Sequence, residues 1–344
     1  MKKSKLLTIT SVLMILVLTL VSCEITKTNT KDTKALTKVR LNEVVRSVFY
    51  APMYAAINQG FFKEEGLEID LSTGQGADKT AQQVLSKNAD IGFCGPEQII
   101  YIHNQQRDDL PVIFAQLTQR DGSFLVSRSK EEDFKWESLK GKTIIGGRPG
   151  GVPEMSLEYV LRNHGIQPNK DVKIITNLAF TATAGAFKSG TGDYVALFEP
   201  TASMLEKDNA GYIVASVGQS AGVIPYTCFF STKSYINQNP QIIEKFTRAI
   251  YKGQLWVQKS SDEEVAKAIK SFFPGTDEDI LVNVIKNYRS INAFAPNPTM
   301  QEEAMSKLMD IIQSYDSNLI PARPSFEKLV DNSFSEKVVK ELSK

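Results

Sequence analysis

Tyr54-Ala55-Ala56-Ile57-Asn58-Gln59-Gly60-Phe61-Phe62-Lys63-Glu64-Glu65-Gly66-Leu67-Glu68-Ile69 contains a full change of structural period. Pro52 to Phe62 reads as a helix, and Lys63-Glu64-Glu65 forms its charged end. Gly66 supplies a turn. Leu67 to Leu71 then alternates apolar and acidic residues, as a half-buried strand does. Helix, turn and strand in such close succession predict an α/β fold.

The pattern continues on both sides. Val39 to Val48 predicts a strand, Asp78 to Lys87 a helix, Asp90 to Phe93 a short buried strand, Pro96 to Asn104 a helix and Pro111 to Gln116 a strand. A second series follows, with strands at Phe124–Ser127, Thr143–Ile145, Val172–Thr176 and Tyr194–Phe198. Between them, Pro153 suits the first turn of a helix that buries Leu157, Val160 and Leu161 and stops at Gly165. Another helix ends near Gly190. Past about Cys228 the pattern is helical throughout, at Pro240–Val257, Asp262–Phe272, Asp277–Tyr288 and Thr299–Tyr315. Alternation of this kind predicts mostly parallel sheets. No repeat of short period is present.

Before the α/β body lies a segment of another character. Lys2, Lys3 and Lys5 precede the apolar run Leu6 to Leu20, which is shorter than the ~20 residues of a membrane-spanning helix. Residues 1–22 read as an export signal. Leu20-Val21-Ser22-Cys23 resembles the bacterial lipobox, which implies lipidation at Cys23 and attachment to the membrane through that lipid. Residues 23–38 are rich in Thr, Lys and Asn and lack apolar periodicity, so they predict a flexible tether.

Composition excludes several classes of function. The formal charge is +1, and removing the three signal lysines leaves 37 basic against 39 acidic residues, a balance of about −2. There is no basic stripe to neutralise phosphates, which argues against nucleic-acid binding. The two histidines, His103 and His164, belong to no H-E-x-x-H or C-x-x-C arrangement, so no metal is expected. A nucleophile elbow, a complete dinucleotide fingerprint and a P-loop are also missing, so neither a cofactor nor enzymatic activity is expected. Cys94 and Cys228 lie in apolar surroundings and read as buried thiols, with a disulfide as the alternative.

The opening stretch resembles the first motif of bacterial solute-binding proteins for nitrate, sulfonate, taurine and thiamine-pyrimidine importers. Asp90-Ile91-Gly92-Phe93 is similar to their second landmark, and Leu139-Lys140-Gly141-Lys142-Thr143-Ile144 to their third. The resemblance covers essentially the whole body after the tether. It implies a two-lobed, periplasmic-binding-protein-like (type II) fold with mixed sheets flanked by helices and a hinge crossed twice. The crossings would lie near Gln116 to Asp121 and Pro225 to Phe229, giving lobes of 39–118 plus 229–344 and of 119–228. It also implies a monomer that closes on a solute and passes it to an ABC permease driven by separate ATPase subunits. The chain lacks the cysteine-rich run of the yeast pyrimidine-synthesis relatives, which argues against their suicidal chemistry.

Ligands of open α/β sheets bind beyond the carboxyl ends of the strands. That rule nominates Phe49, Tyr50, Gln75, Glu97, Arg148, Glu154 and Glu199, with Tyr226 at the return crossing. Aromatic faces and carboxylates suit an amino-bearing, planar solute, with Glu199 as the expected acceptor. Arg148 and the helix N-termini suit nitrate or another oxyanion, beside which buried carboxylates would be repulsive. Taurine lies between these cases. Glu154 could instead serve its helix N-terminus, and Glu199 could face solvent. An enzyme on the same fold, or a lipoprotein that binds a protein partner, are the remaining classes.

Overall fold

The computed structural model describes residues 35–105 and 107–343. The export signal, Cys23 and most of the expected tether lie outside the described residues. The described residues form ten strands: β1 (Thr37–Glu43), β2 (Leu67–Thr73), β3 (Ile91–Cys94), β4 (Pro111–Thr118), β5 (Ser123–Ser127), β6 (Thr143–Ile145), β7 (Lys173–Ile175), β8 (Tyr194–Phe198), β9 (Tyr212–Ser216) and β10 (Thr227–Thr232). They form two five-stranded sheets, in the orders β2-β1-β3-β10-β4 and β7-β6-β8-β5-β9.

Both sheets are mixed. In the first, β1 runs parallel to β2 and β3, and β10 runs antiparallel to β3 and β4. In the second, β6 runs parallel to β7 and β8, and β5 runs antiparallel to β8 and β9. Alternation alone predicts mostly parallel pairing. The difference arises because one strand in each sheet, β10 and β5, arrives from the other sheet and enters against its neighbours.

β10 corrects the expectation that the chain past Cys228 is only helical. Thr227–Thr232 is buried at every position, so it lacks the alternation that marks a strand with one wet face. β9 escapes the sequence reading as well. The helix expected over Pro52 to Phe62 is divided into Ala51–Asn58 and Phe61–Glu64, because Gly60 takes a left-handed conformation with φ +82°.

Helix Pro240–Lys259 shows how the helical layer is held. Ile243, Phe246, Ile250, Gly253 and Val257 recur along one buried face. A Cβ on Gly253 would stand 2.3 Å from the Pro52 carbonyl, so only glycine lets this helix approach helix Ala51–Asn58 so closely. A smaller apolar cluster around Trp136, Leu139, Leu157, Leu161 and Ile166 lies in the second half of the fold. Among the described residues no helix is long and apolar enough to cross a membrane.

The chain passes from the first sheet to the second over residues 119–122 and returns over 222–226. The two passages are bonded to each other. Ile224 N–H donates to the Gln119 carbonyl at 3.1 Å, and Tyr226 N–H to the Thr118 carbonyl at 3.1 Å. They run beside the carboxyl ends of β3 and β4, which places Asp121 and Tyr226 at the junction of the two sheets.

Candidate functional site

The junction is walled by aromatic rings. Phe49 and Tyr50 follow β1 in a short 3-10 turn, and both are buried. The Phe49 ring stands 5.5 Å from Tyr226, 5.9 Å from Phe198 and 5.0 Å from Tyr288, while Tyr50 packs edge-on against Phe93 at 4.6 Å. Phe198 continues the row outward to Phe180, which is exposed. The chain has brought rings from both sheets and the return passage into one cluster.

Carboxylates meet this cluster from several directions, and their environments differ. Glu97 opens helix Glu97–His103 and is buried. Its Oε1 accepts a bond from Gln98 at 3.2 Å, and its Oε2 has no partner. Burial raises its pKa above the usual carboxylate range. Glu154, in the first turn of helix Val152–Asn163, accepts the Gly147 N–H at 2.7 Å. Burial pushes it up to about 8, with the charge of Glu158 adding to the effect. Glu154 therefore braces its own glycine loop, as an acid in a helix's first turn can. Its Oε1 remains unpartnered.

Glu199 is the most fully bonded of the three. Its Oε2 accepts the Ser203 N–H, and its Oε1 accepts both the Ser203 hydroxyl and the Asn287 amide, each at 2.8 Å. It is almost completely buried, so the expectation that it could face solvent fails. The backbone of Glu199 is tied down too. Ser47 donates to its carbonyl at 3.0 Å, and its N–H donates to the Tyr288 hydroxyl at 3.0 Å. Glu199 thus joins the loop after β8 to helix Glu278–Ser290 and to the turn after β1.

Gln75 and Arg148 lie farther out. Gln75 is exposed, with φ +61°, and its N–H is held by the Val44 carbonyl at 2.7 Å. The Arg148 side chain is 45% exposed and stands 3.7 Å from Asp78. The helix N-terminal loops are present, but the guanidinium that would complement an anion there already faces an acid.

Strand-end reasoning misses a fourth buried carboxylate. Asp121 lies in the first passage, and none of its surface is exposed. Its Oδ1 accepts the Ser123 N–H at 2.7 Å and the Ser123 hydroxyl at 2.5 Å, and its Oδ2 is unpartnered. Burial pushes it up to about 6, against the opposing pull of hydroxyls from Ser123, Tyr226 and Ser156. Glu43, at the end of β1, is also buried and pushed up to about 7; the Tyr54 hydroxyl donates to its Oε2 at 2.7 Å, and Arg46 pairs with its Oε1 at 2.6 Å.

Other sequence candidates fall elsewhere. Cys94 and Cys228 are directly opposite each other on β3 and β10, buried and unbonded, so the buried-thiol reading describes the structure. His103 is held to the Pro111 carbonyl, and His164 stacks on Trp136. Among the described residues no group of three or more His, Cys, Asp or Glu could hold a metal ion. A surface groove of about 690 Å³, lined by His103, Lys233, Arg323 and Lys328 among others, opens beside the start of β4, at the other end of that strand from the junction.

This architecture has known counterparts. A family model described as NMT1/THI5 like matches residues 48–264. "Putative binding protein YtlA" of Bacillus subtilis is 45% identical over 311 residues, covering 90% of this chain and 92% of that protein. The bicarbonate-binding protein CmpA of a Synechococcus species is 22% identical over 249 residues, covering 65% of this chain and 55% of its own length. The alkanesulfonate-binding protein SsuA from Xanthomonas axonopodis pv. citri, solved bound to MOPS, matches with a TM-score of 0.69 and 14% identity, over 86% of this chain and 99% of that one. At such identity the structural likeness speaks for the fold.

Proposed function

The chain belongs to the NMT1/THI5-like family, and from that premise we propose that it is the extracytoplasmic solute-binding lipoprotein of an ABC importer. Cys23 carries the lipid, the residues from there to the start of β1 are the tether, and 37–118 plus 227–344 and 119–226 are the two lobes, shifted by two residues from the expected bounds because β1 and β10 begin at Thr37 and Thr227. The solute is small, planar and amino-bearing, of the thiamine-type pyrimidine class. It is held between the lobes and delivered to a permease and its ATPase. No catalytic step is involved.

The observation that carries this reading is the junction of aromatic walls and unpartnered acceptors. The Tyr226 hydroxyl is buried without a bond of good geometry on a ring packed against Phe49 and Phe198, and Glu97 Oε2 is buried without one where its charge acts on Tyr50 and Tyr226. Aromatic faces stack on a planar ring, and a carboxylate oxygen takes its N–H. An inorganic anion at the same place would meet carboxylates from several sides. Domain closure around such a solute desolvates it and shifts the open and closed populations.

A second reading, of an oxyanion or sulfonate, draws on the relatives and on two guanidiniums. Arg148 is one, and Arg120, whose Nε is buried without a partner, is the other. Calorimetric titration separates the two. The proposal expects saturable binding of 4-amino-5-hydroxymethyl-2-methylpyrimidine and none of nitrate or bicarbonate, and the reverse pattern overturns it. The anchor has its own test. Cys23→Ser should abolish incorporation of a clickable fatty acid, because only the thiol forms the thioether, and undiminished label would refute lipidation there.

A further inference from the structure

We propose that Asp121 is the specificity-determining residue of this site, receiving the solute's amino group together with the hydroxyls of Tyr226 and Ser156. The inference rests on the amino-solute reading and deepens it with a residue that no strand-end rule nominates.

Four segments distant in sequence bring unpartnered buried atoms to this junction. Asp121 Oδ2 comes from the first passage, the Tyr226 hydroxyl from the return, the Ser156 hydroxyl from helix Val152–Asn163 and Glu97 Oε2 from helix Glu97–His103. Asp121 lies beside the Tyr226 and Ser156 hydroxyls, and the Glu97 charge reaches Tyr226. None of the four atoms makes a hydrogen bond of good distance and angle, although the Tyr226 and Ser156 hydroxyls stand near enough to the Asp121 carboxyl to act on it. Native chains leave few buried polar side chains unsatisfied, and a cluster of them marks the place of a missing partner.

The chemistry of the four atoms selects the partner. Two are carboxylate oxygens, which accept when ionised, and two are hydroxyls, which accept or donate. A group with two or three N–H donors satisfies such a set. Among these four atoms a nitrate or sulfonate oxygen would find donors only in the two hydroxyls, and the ionised carboxylates would repel it. The Ser123 N–H and hydroxyl hold Oδ1 and so fix the plane of the Asp121 carboxyl, leaving Oδ2 to the ligand.

The backbone around Asp121 is held in place. A Cβ on Gly122 would stand 2.8 Å from the Phe49 ring and 2.9 Å from the Phe198 ring, so the passage is wedged between the aromatic walls. A Cβ on Gly218 would collide with the Asp121 carbonyl at 1.8 Å. Asp121 is therefore presented from a closely packed passage in contact with both halves of the fold. An acceptor there can sense the solute and the closed arrangement together.

The test is calorimetric titration of the full chain with 4-amino-5-hydroxymethyl-2-methylpyrimidine, and in parallel with nitrate and bicarbonate. Wild type, Asp121→Asn, Ser156→Ala and Tyr226→Phe are compared, with folding checked by thermal melting. Asp121→Asn keeps the shape and should weaken pyrimidine binding at least about 30-fold. Ser156→Ala and Tyr226→Phe should each weaken it roughly tenfold. Wild-type-like pyrimidine affinity in Asp121→Asn overturns the inference and leaves the amino-solute reading intact. Should Asp121→Asn fail to fold, the two hydroxyl variants decide, and unchanged affinity in both overturns the inference. Wild type that takes only the oxyanions, or does not take the pyrimidine at all, overturns the reading and the inference together.

Discussion

Glu199 and the Glu97–Asp121 pair are buried acids at comparable places, beyond strand ends or in the passages between sheets, yet the chain treats them in opposite ways. Glu199 has three donors from Ser203 and Asn287, and its backbone is tied to Ser47 and Tyr288. Glu97 and Asp121 each retain an oxygen without a hydrogen bond of good geometry, and the Asp121 oxygen has only the Tyr226 and Ser156 hydroxyls near it. Burial is the same in both cases. What differs is the inventory of partners, and on the proposed reading that inventory separates a structural carboxylate from one that takes a ligand.

The sharpest way to break this contrast is to remove the two kinds of acid in turn. Glu199→Ala strips acceptors from Ser203 and Asn287 in a buried setting, which costs about 1–3 kcal/mol for each group left unsatisfied. Its urea midpoint should fall far below that of wild type. Glu97→Gln should leave the midpoint nearly unchanged while weakening binding of the aminopyrimidine at least about 30-fold. If Glu199→Ala unfolds like wild type, or Glu97→Gln binds like wild type, the distinction collapses.

A smaller effect, in pH, sharpens the same contrast at Glu154. Its folded pKa of about 8 lies above the ordinary carboxylate value of 4.5, so the folded chain holds this proton more tightly than the unfolded chain does. Stability from this group is fully present below the unfolded pKa and is lost as pH rises through the folded value. Glu154→Gln removes that dependence. It should melt higher than wild type at pH 9, by about 2–4 °C for each kcal/mol recovered, with a smaller gain or none at pH 5. An equal change at both pH values would contradict the burial argument.

The smallest expected effect is at the surface. Lys207 and Asp277 form an exposed ion pair between helix Thr201–Lys207 and the residue preceding helix Glu278–Ser290. Exposed pairs contribute little and are screened by salt. Lys207→Ala should leave the urea midpoint unchanged at physiological ionic strength. A clear loss would show that contacts at the rim, and not only Glu199 and its partners, hold the two halves together.

Much of this architecture is legible in local pattern. The helix-to-strand change at 54–69, the strands β6 and β8 and the long helix from Pro240 all follow from periodicity, capping and turn residues. β10 is not legible, because a strand buried on both faces has no alternation to read. The aromatic walls are half legible. Phe49, Tyr50 and Tyr226 stand out by type and position, but their meeting is a product of the two passages. Asp121 is hidden for another reason. It lies in a four-residue passage with no period of its own, and its neighbours Ser156 and Tyr226 come from distant parts of the chain. The role of Glu199 is decided by Asn287, 88 residues away, which no local pattern contains.

The central claim is that the junction holds an amino-bearing solute, and identifying what the protein carries tests it most directly. The full chain, purified natively from its own cells, would be denatured and the released small molecules identified by mass spectrometry. The account predicts one stoichiometric solute, planar and with at least one amino group. A stoichiometric solute without any N–H donor, such as an inorganic oxyanion or a simple alkanesulfonate, would contradict it.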